Sequence, residues 1–212
     1  MSQNQPPTHF QNEILRPPYD PLLIPAVEAS KNTMPGIQDL ENLRLFAGNF
    51  SAAKILEDYP SLDHVEYSVP GLNDGDAEIK ISVFKPKSPT SAMLPALYNI
   101  HGGGQVAGNR FSALGVLIEY FNDIETVFIS VEYRLAPEHP APAALHDAYA
   151  GLLWATKHSV ELGIDCTKII VGGASGGGPI AVGATMLCRD NQRPFPGALM
   201  LLTPIEDTSG HW

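Results

Sequence analysis

The chain has 212 residues, 44% of them hydrophobic and 17% charged, which is ordinary composition for a globular protein with room for one substantial core. The formal net charge is −10, and lysines and arginines form no basic run, so we expect no nucleic-acid binding. The N-terminus lacks a signal-peptide pattern and no apolar run is long enough for a membrane span, so we expect a cytoplasmic protein with no membrane span.

The first part of the chain predicts an arm, a helix and a strand pair. Residues 1–36 are rich in proline and polar residues and predict an extended arm. Apolar spacing from Ile37 to Phe50 predicts a helix, which residues 52–56 would extend. Alternating polar and apolar residues around an N-D-G-D turn predict two paired strands, at His64–Val69 and Glu78–Phe84.

After Pro86, strand and helix patterns alternate along the chain. Apolar runs predict strands at Leu94–Ile100, Thr126–Tyr133, Lys168–Val171 and Ala198–Thr203. Helical spacing predicts helices at Phe111–Phe121, Pro142–His158 and Pro179–Arg189. This alternation indicates an α/β fold, with a mostly parallel sheet flanked by helices. We assign residues 1–60 to the arm and first helix, and residues 61–212 to the α/β core.

Two glycine clusters follow predicted strands of this sheet. The first is H-G-G-G at 101–104, and the second lies within residues 172–178. Sites in open parallel sheets form where strands end, and glycine runs allow backbone N–H groups to face a substrate. In the second cluster, G-A-S-G-G at 173–177 fits G-x-S-x-G between a strand and a helix. This context is typical of a turn that exposes Ser175 as a nucleophile, with an oxyanion hole supplied by both clusters.

Other uses of glycine-rich turns fit less well. The second cluster breaks the G-x-G-x-x-G order of dinucleotide-binding turns, and the lysine of a phosphate-binding loop is absent. Cys166 and Cys188 have no metal-ligand spacing and predict buried thiols.

Three blocks together resemble one known family. H-G-G-G, then Y-R-L-A-P-E-H-P-A-P-A-A-L-H-D at 133–147, then G-A-S-G-G-G, look like the hormone-sensitive-lipase-like branch of the α/β-hydrolases. The residues L-L-T-P-I-E-D-T-S-G at 201–210 resemble the next strand and loop of that family, so the likeness covers roughly residues 60–212.

The resemblance implies a fold, an activity and a set of site residues. It implies an α/β-hydrolase that cleaves carboxylic esters or lactones, with a small-molecule ester as partner and no cofactor or metal. Ser175 would be the nucleophile, and the N–H groups of Gly103, Gly104 and Gly176 would form the oxyanion hole. His101 would brace the glycine loop, and the N-terminal arm and first helix would belong to a cap.

Two local departures separate this chain from the pattern of the family. Members usually have aspartate before the serine and alanine after it, where this chain has Ala174 and Gly176. A glycine loosens the corner and the missing carboxylate removes a polar contact, so we expect either change to lower the rate and leave the chemistry unaltered.

A larger departure concerns the acid and base of the triad. The resemblance places them on the order of a hundred residues past the serine, whereas 37 residues follow Ser175 here. We therefore expect a C-terminally shortened member, with the last strands and the triad Asp and His missing from this chain. Asp207 and His211 are the substitutes that have the right order, although neither matches the catalytic position of the family.

Three hypotheses for function follow. The first is a serine carboxylesterase that acts through a Ser175 acyl-enzyme, whose activity in this chain alone depends on a source of acid and base. The second is an inactive homologue that binds a small carboxylate-like ligand in the glycine pocket. The third is an assembly module in which residues 198–203 form an exposed edge strand that pairs with a second copy or a completing chain.

Overall fold

The computed structural model describes residues 19–30, 39–194 and 196–204 of the chain. The chain forms two compact units, residues 1–36 and residues 37–212. In the first unit the structure describes helix α1 (Ile24–Ser30), so part of the predicted extended arm is helical. The remaining elements belong to the second unit.

A six-stranded sheet forms the centre of the second unit. Its strands are β1 (Leu62–Val69), β2 (Ile79–Pro86), β3 (Leu94–Ile100), β4 (Val127–Glu132), β5 (Ile164–Ala174) and β6 (Ala198–Leu202). They lie in the order β1-β2-β4-β3-β5-β6. The pairs β1/β2 and β2/β4 are antiparallel, and the pairs β4/β3, β3/β5 and β5/β6 are parallel. The predicted strand pair and the predicted mostly parallel sheet are both confirmed.

Helices cover both faces of this sheet. They are α2 (Leu40–Ala47), α3 (Ala52–Asp58), α4 (Leu114–Tyr120), α5 (Ala143–Lys157), α6 (Ser159–Leu162) and α7 (Gly177–Asp190). A hydrophobic core lies on each face of the sheet. Alternate residues of β3 pack in one core or the other, because successive side chains of a strand point to opposite faces. Tyr98 packs in the core that includes α5 and α7, and Leu97 packs in the core that includes α3 and α4.

The single helix predicted from residue 37 is two helices. Gly48 closes α2, with its N–H bonded to the carbonyl of Arg44 at 2.8 Å. The Oγ of Ser51 then accepts a hydrogen bond from the N–H of Lys54 at 3.3 Å and caps α3. Serine is favoured at a helix N-terminus, and a Cβ on Gly48 would lie 2.9 Å from the carbonyl oxygen of Arg44, so the break has a local cause that apolar spacing alone missed.

The strand before Ser175 is longer than predicted. β5 starts at Ile164 rather than Lys168, because backbone pairing with β3 continues past polar residues, with a register shift near Leu94. α7 starts at Gly177, two residues before the predicted Pro179. Across the described residues, no helix is both long and apolar enough to cross a membrane.

Candidate active site

Ser175 occupies a sharp turn between β5 and α7. β5 ends at Ala174 and α7 begins at Gly177, so two residues make the whole connection. Ser175 has φ +48°, a left-handed conformation that is strained for a residue with a side chain. The turn is held by two hydrogen bonds of 2.9 Å, from the N–H of Ser175 to the carbonyl of Leu202 and from the N–H of Gly178 to the carbonyl of Ser175.

The packing around the serine turn leaves no room for a side chain at Gly173 or Gly177. A Cβ on Gly173 would lie 2.5 Å from the carbonyl oxygen of Gly177 and 2.7 Å from the Cβ of Ala181. A Cβ on Gly177 would lie 2.3 Å from the carbonyl oxygen of Ile100. The turn therefore fits against β3 and the first turns of α7 only with glycine at these positions.

The first glycine cluster lies beside this turn because β3 and β5 are parallel neighbours, with Ile100 opposite Gly173. Gly103 has φ +113° and its carbonyl accepts the N–H groups of Val106 and Ala107, at 3.1 and 3.0 Å. A Cβ on Gly102 would lie 3.4 Å from the Cβ of Ser175. We call residues 102–108 the glycine loop.

The glycine loop and the serine turn meet at Gly104 and Gly176. A Cβ on Gly176 would lie 2.8 Å from both the Cα and the N of Gly104. Gly176 has φ −59°, which any residue can adopt, so it is glycine for space rather than for conformation. The expectation that this glycine merely loosens the corner is incomplete, because it lets the two backbones approach each other.

Of the three predicted donors of the oxyanion hole, Gly104 and Gly176 lie against each other, and Gly103 directly precedes Gly104. Gly176 precedes the first turn of α7, and Gly103 and Gly104 lie in the glycine loop. No hydrogen bond within the described part of the chain uses the N–H of any of the three. Free N–H groups beside a helix N-terminus can stabilise a negatively charged oxygen.

Gln105 joins the two halves of the site, and no sequence motif predicted this role. Its Nε2 donates a hydrogen bond to the carbonyl of Gly176 at 3.1 Å. The backbone carbonyl of Gln105 accepts a hydrogen bond from the N–H of Ala136 at 2.9 Å. The one available signal was a polar residue directly after three glycines.

His101 lies beneath the glycine loop and is fully buried. Its Nδ1 lies 2.8 Å from the carbonyl oxygen of Gly102, which can only accept, so Nδ1 carries the proton. The ring stacks on Tyr133 at 4.1 Å between centroids, and the Tyr133 hydroxyl donates to the carbonyl of His101 at 2.8 Å. Burial lowers the pKa of His101 to about 4, against a smaller raising effect of the bond to Gly102, so the ring is neutral at pH 7.

Ser175 Oγ forms no hydrogen bond with any residue that the structure describes. Asp207 and His211, the substitutes named from the sequence, lie outside the described residues. Within residues 19–30, 39–194 and 196–204, no cluster of three or more His, Cys, Asp or Glu side chains could hold a metal ion.

The two acidic residues of the block at 133–147 form ion pairs with arginines. Asp147 is 1% exposed and receives three side-chain hydrogen bonds and one backbone hydrogen bond from Arg134, at 2.7 to 3.1 Å. Glu138 binds Arg44 at 2.7 and 2.8 Å, and this hydrogen bonding lowers the pKa of Glu138 to about 2. Both carboxylates are therefore engaged in ion pairs with arginines.

Comparison with known proteins agrees with this geometry. Residues 97–211 match a family model described as having the alpha/beta hydrolase fold. The esterase LipI of Mycobacterium tuberculosis is 31% identical over 179 residues, which cover 84% of this chain and 54% of LipI. The arylesterase of Saccharolobus solfataricus is 35% identical over 117 residues, which cover 55% of this chain and 38% of that enzyme.

A solved structure, that of bacterial heroin esterase, aligns with a TM-score of 0.76 and 34% identity, covering 86% of this chain and 58% of the other. The chain spans about half the length of the relatives it matches, 54% for LipI and 58% for the heroin esterase. With the fold, the serine turn and these matches in agreement, the chain belongs to the α/β-hydrolase family, among relatives that are named esterases.

Proposed function

We propose that this chain supplies the nucleophile and the oxyanion hole of a serine carboxylesterase that acts on small carboxylic esters or lactones. The observation that carries the proposal is Ser175 in a strained turn at the head of α7, beside Gly103 and Gly104 of the glycine loop, whose N–H groups form no hydrogen bond within the described residues. The esterase names of the relatives support ester hydrolysis as the reaction class.

The proposed reaction is acyl transfer in two steps. The Oγ of Ser175 attacks the acyl carbon, and the carbonyl electron pair moves onto oxygen, where the N–H groups of Gly103, Gly104 and Gly176 stabilise the charge. The tetrahedral species collapses, the alcohol leaves with a proton, and an ester of Ser175 remains. Water then attacks this ester, releases the carboxylic acid and restores the Ser175 hydroxyl.

A base must accept the proton of Ser175 Oγ for rapid turnover. We propose that the acid and base come from outside the described residues, because Ser175 Oγ has no hydrogen-bond partner within them. Asp207 and His211 are the candidates that this chain itself contains. His101 does not serve, since it is buried under the glycine loop and its proton is bonded to Gly102.

We also propose that a further strand pairs with β6. In the described part of the chain β6 pairs only with β5, and Leu199 is 39% exposed. A second copy or a completing chain would satisfy the outer backbone groups of this strand. Light scattering of the purified chain tests the first possibility: a dimer that a Leu199→Lys substitution dissociates supports it, and a monomer at every concentration excludes it.

The esterase proposal is tested by release of p-nitrophenol from p-nitrophenyl acetate, with Ser175→Ala alongside. p-Nitrophenolate is a weakly basic leaving group that departs without a general acid, so acylation of Ser175 by this ester is faster than hydrolysis of the resulting acetyl ester when no base assists either step. We expect a burst of about one product per chain in the wild type and no burst in Ser175→Ala. Identical traces, combined with saturable binding of a short carboxylate, would instead identify a ligand-binding homologue.

A further inference from the structure

Arg44 on α2 connects three groups that are distant in sequence. Its Nε donates to the carbonyl of Val106 at 2.7 Å, and its Nη2 donates to the carbonyl of Ala136 at 2.9 Å. The same guanidinium binds both carboxylate oxygens of Glu138, at 2.8 and 2.7 Å. One side chain thus uses its planar fork to join the glycine loop and the segment at 136–138.

Polar contacts rather than apolar packing attach α2 to the glycine loop and the residues that follow it. No side chain of α2 is fully buried. Beyond Arg44, the carbonyl of Ala47 accepts from Ser112 Oγ at 3.2 Å. The carbonyls of Gly48 and Phe50 accept from Asn109 Nδ2 at 3.2 and 3.1 Å. The C-terminal end of α2 is therefore fastened to the chain that leaves the glycine loop.

The carbonyls that Arg44 binds belong to the frame of the oxyanion hole. Val106 donates its N–H to Gly103, so the residue held by Arg44 also holds the first proposed donor. Ala136 donates its N–H to the carbonyl of Gln105, whose side chain bonds Gly176. Loss of Arg44 would loosen both connections at once.

We propose that Arg44 is a positioning residue for the oxyanion hole: it acts through Val106 and Ala136 to fix the N–H groups of Gly103 and Gly104 relative to Ser175. The role in catalysis rests on the proposed function, and the effect on the loop does not. A lysine at this position has one ammonium group and cannot reproduce the fork that reaches Val106, Ala136 and Glu138 together.

The experiment compares Arg44→Met, Arg44→Lys and a matched control, Lys54→Met. Lys54 is also a cation on a short helix, but it is 57% exposed and pairs with Glu57 and Asp58 on its own helix. The first readout is hydrogen exchange of the peptide that covers residues 102–108, followed by mass spectrometry. We expect exchange of the Val106 and Ala107 amides to rise about tenfold in Arg44→Met, less in Arg44→Lys, and not in Lys54→Met.

The second readout is the burst with p-nitrophenyl acetate. We expect Arg44→Met to slow the burst about tenfold without changing its dependence on ester concentration, and Arg44→Lys to recover part of the rate. Unchanged exchange at residues 102–108 in Arg44→Met would overturn the proposal. Faster exchange throughout β5 in both Arg44→Met and Arg44→Lys would also overturn it, because that result would indicate general destabilisation. A wild type without a burst would contradict the proposed function. The hydrogen-exchange result would still decide whether Arg44 positions the glycine loop.

Discussion

The Cα of Gly104 lies where a side chain at position 176 would have to go: a Cβ on Gly176 would be 2.8 Å from that Cα and 2.8 Å from the Gly104 nitrogen. This contact joins the two halves of the proposed oxyanion hole directly. It also gives a reason for a glycine where the family usually has alanine, because the glycine loop can lie closer to the serine turn.

Gly176→Ala should therefore displace the glycine loop. Its φ of −59° suits alanine, so any effect comes from the clash with Gly104 rather than from backbone strain. We expect the burst with p-nitrophenyl acetate to slow about tenfold to a hundredfold, since loss of one oxyanion donor costs about a hundredfold or more. Urea denaturation should show a loss of about 1 to 3 kcal/mol.

Gly115→Ala is the matched control for that substitution. A Cβ there would have its nearest contact at 3.8 Å, on the Tyr59 side chain, and Gly115 lies inside α4. We expect an unchanged burst and a gain of up to about 1 kcal/mol in stability. If Gly176→Ala kept the wild-type burst, the close approach of Gly104 would have no role in the reaction.

Gln105→Met tests the hydrogen bond between the glycine loop and the carbonyl of Gly176. The change keeps the side-chain length and removes a neutral hydrogen bond, so we expect a two- to tenfold slower burst, corresponding to about 0.5 to 1.5 kcal/mol. Gln192→Met, at the other end of α7, should leave the burst unchanged. Equal bursts in both variants would show that Gln105 has no positioning role.

Ser175→Gly should make the protein more stable while it removes the nucleophile. A serine with φ +48° is strained, and glycine adopts that conformation freely, so we expect a gain of about 1 kcal/mol in the free energy of unfolding. Urea denaturation measures this, with Ser88→Gly as the control that gains nothing, because Ser88 lies at an exposed bend and has no left-handed φ. A less stable Ser175→Gly would argue against stored strain in the serine turn.

His101 should make stability depend on pH between 6.5 and 4. Its pKa is about 4 in the folded chain and about 6.5 when unfolded, so in that window the unfolded state binds more protons. Stability should therefore fall as the pH falls from 6.5, by about 1.4 kcal/mol per pH unit, until the folded ring also titrates. The comparison is urea denaturation of wild type and His101→Asn at several pH values.

The variant should be less stable at pH 7, because it lacks the packing on Tyr133, but its stability should fall less steeply on acidification. Parallel curves for the two proteins would contradict the buried, neutral ring.

Much of the fold could be predicted from the sequence because its signals are local. The alternation of apolar runs located β3, β4 and α5 within one or two residues, and glycine placement located both turns of the candidate site. β5 was underestimated, since its first residues are held by pairing with β3 rather than by their own apolar pattern.

The contacts of Arg44 and Gln105 could not be predicted in the same way. Arg44 reaches a carbonyl 62 positions away and another 92 positions away, and Gln105 bonds a carbonyl 71 positions away. Which carbonyl a side chain meets at that separation depends on how the loops pass each other, and no periodicity or motif encodes it. The close approach of Gly104 and Gly176 has the same origin.

The most direct test of the account is the mass of the chain after incubation with p-nitrophenyl butyrate. We expect the addition of one butyryl group, which peptide mapping locates on Ser175. The group should disappear slowly and should be absent from Ser175→Ala. A wild-type chain that gains no butyryl group, or gains it at another residue, would contradict the assignment of Ser175 as the nucleophile.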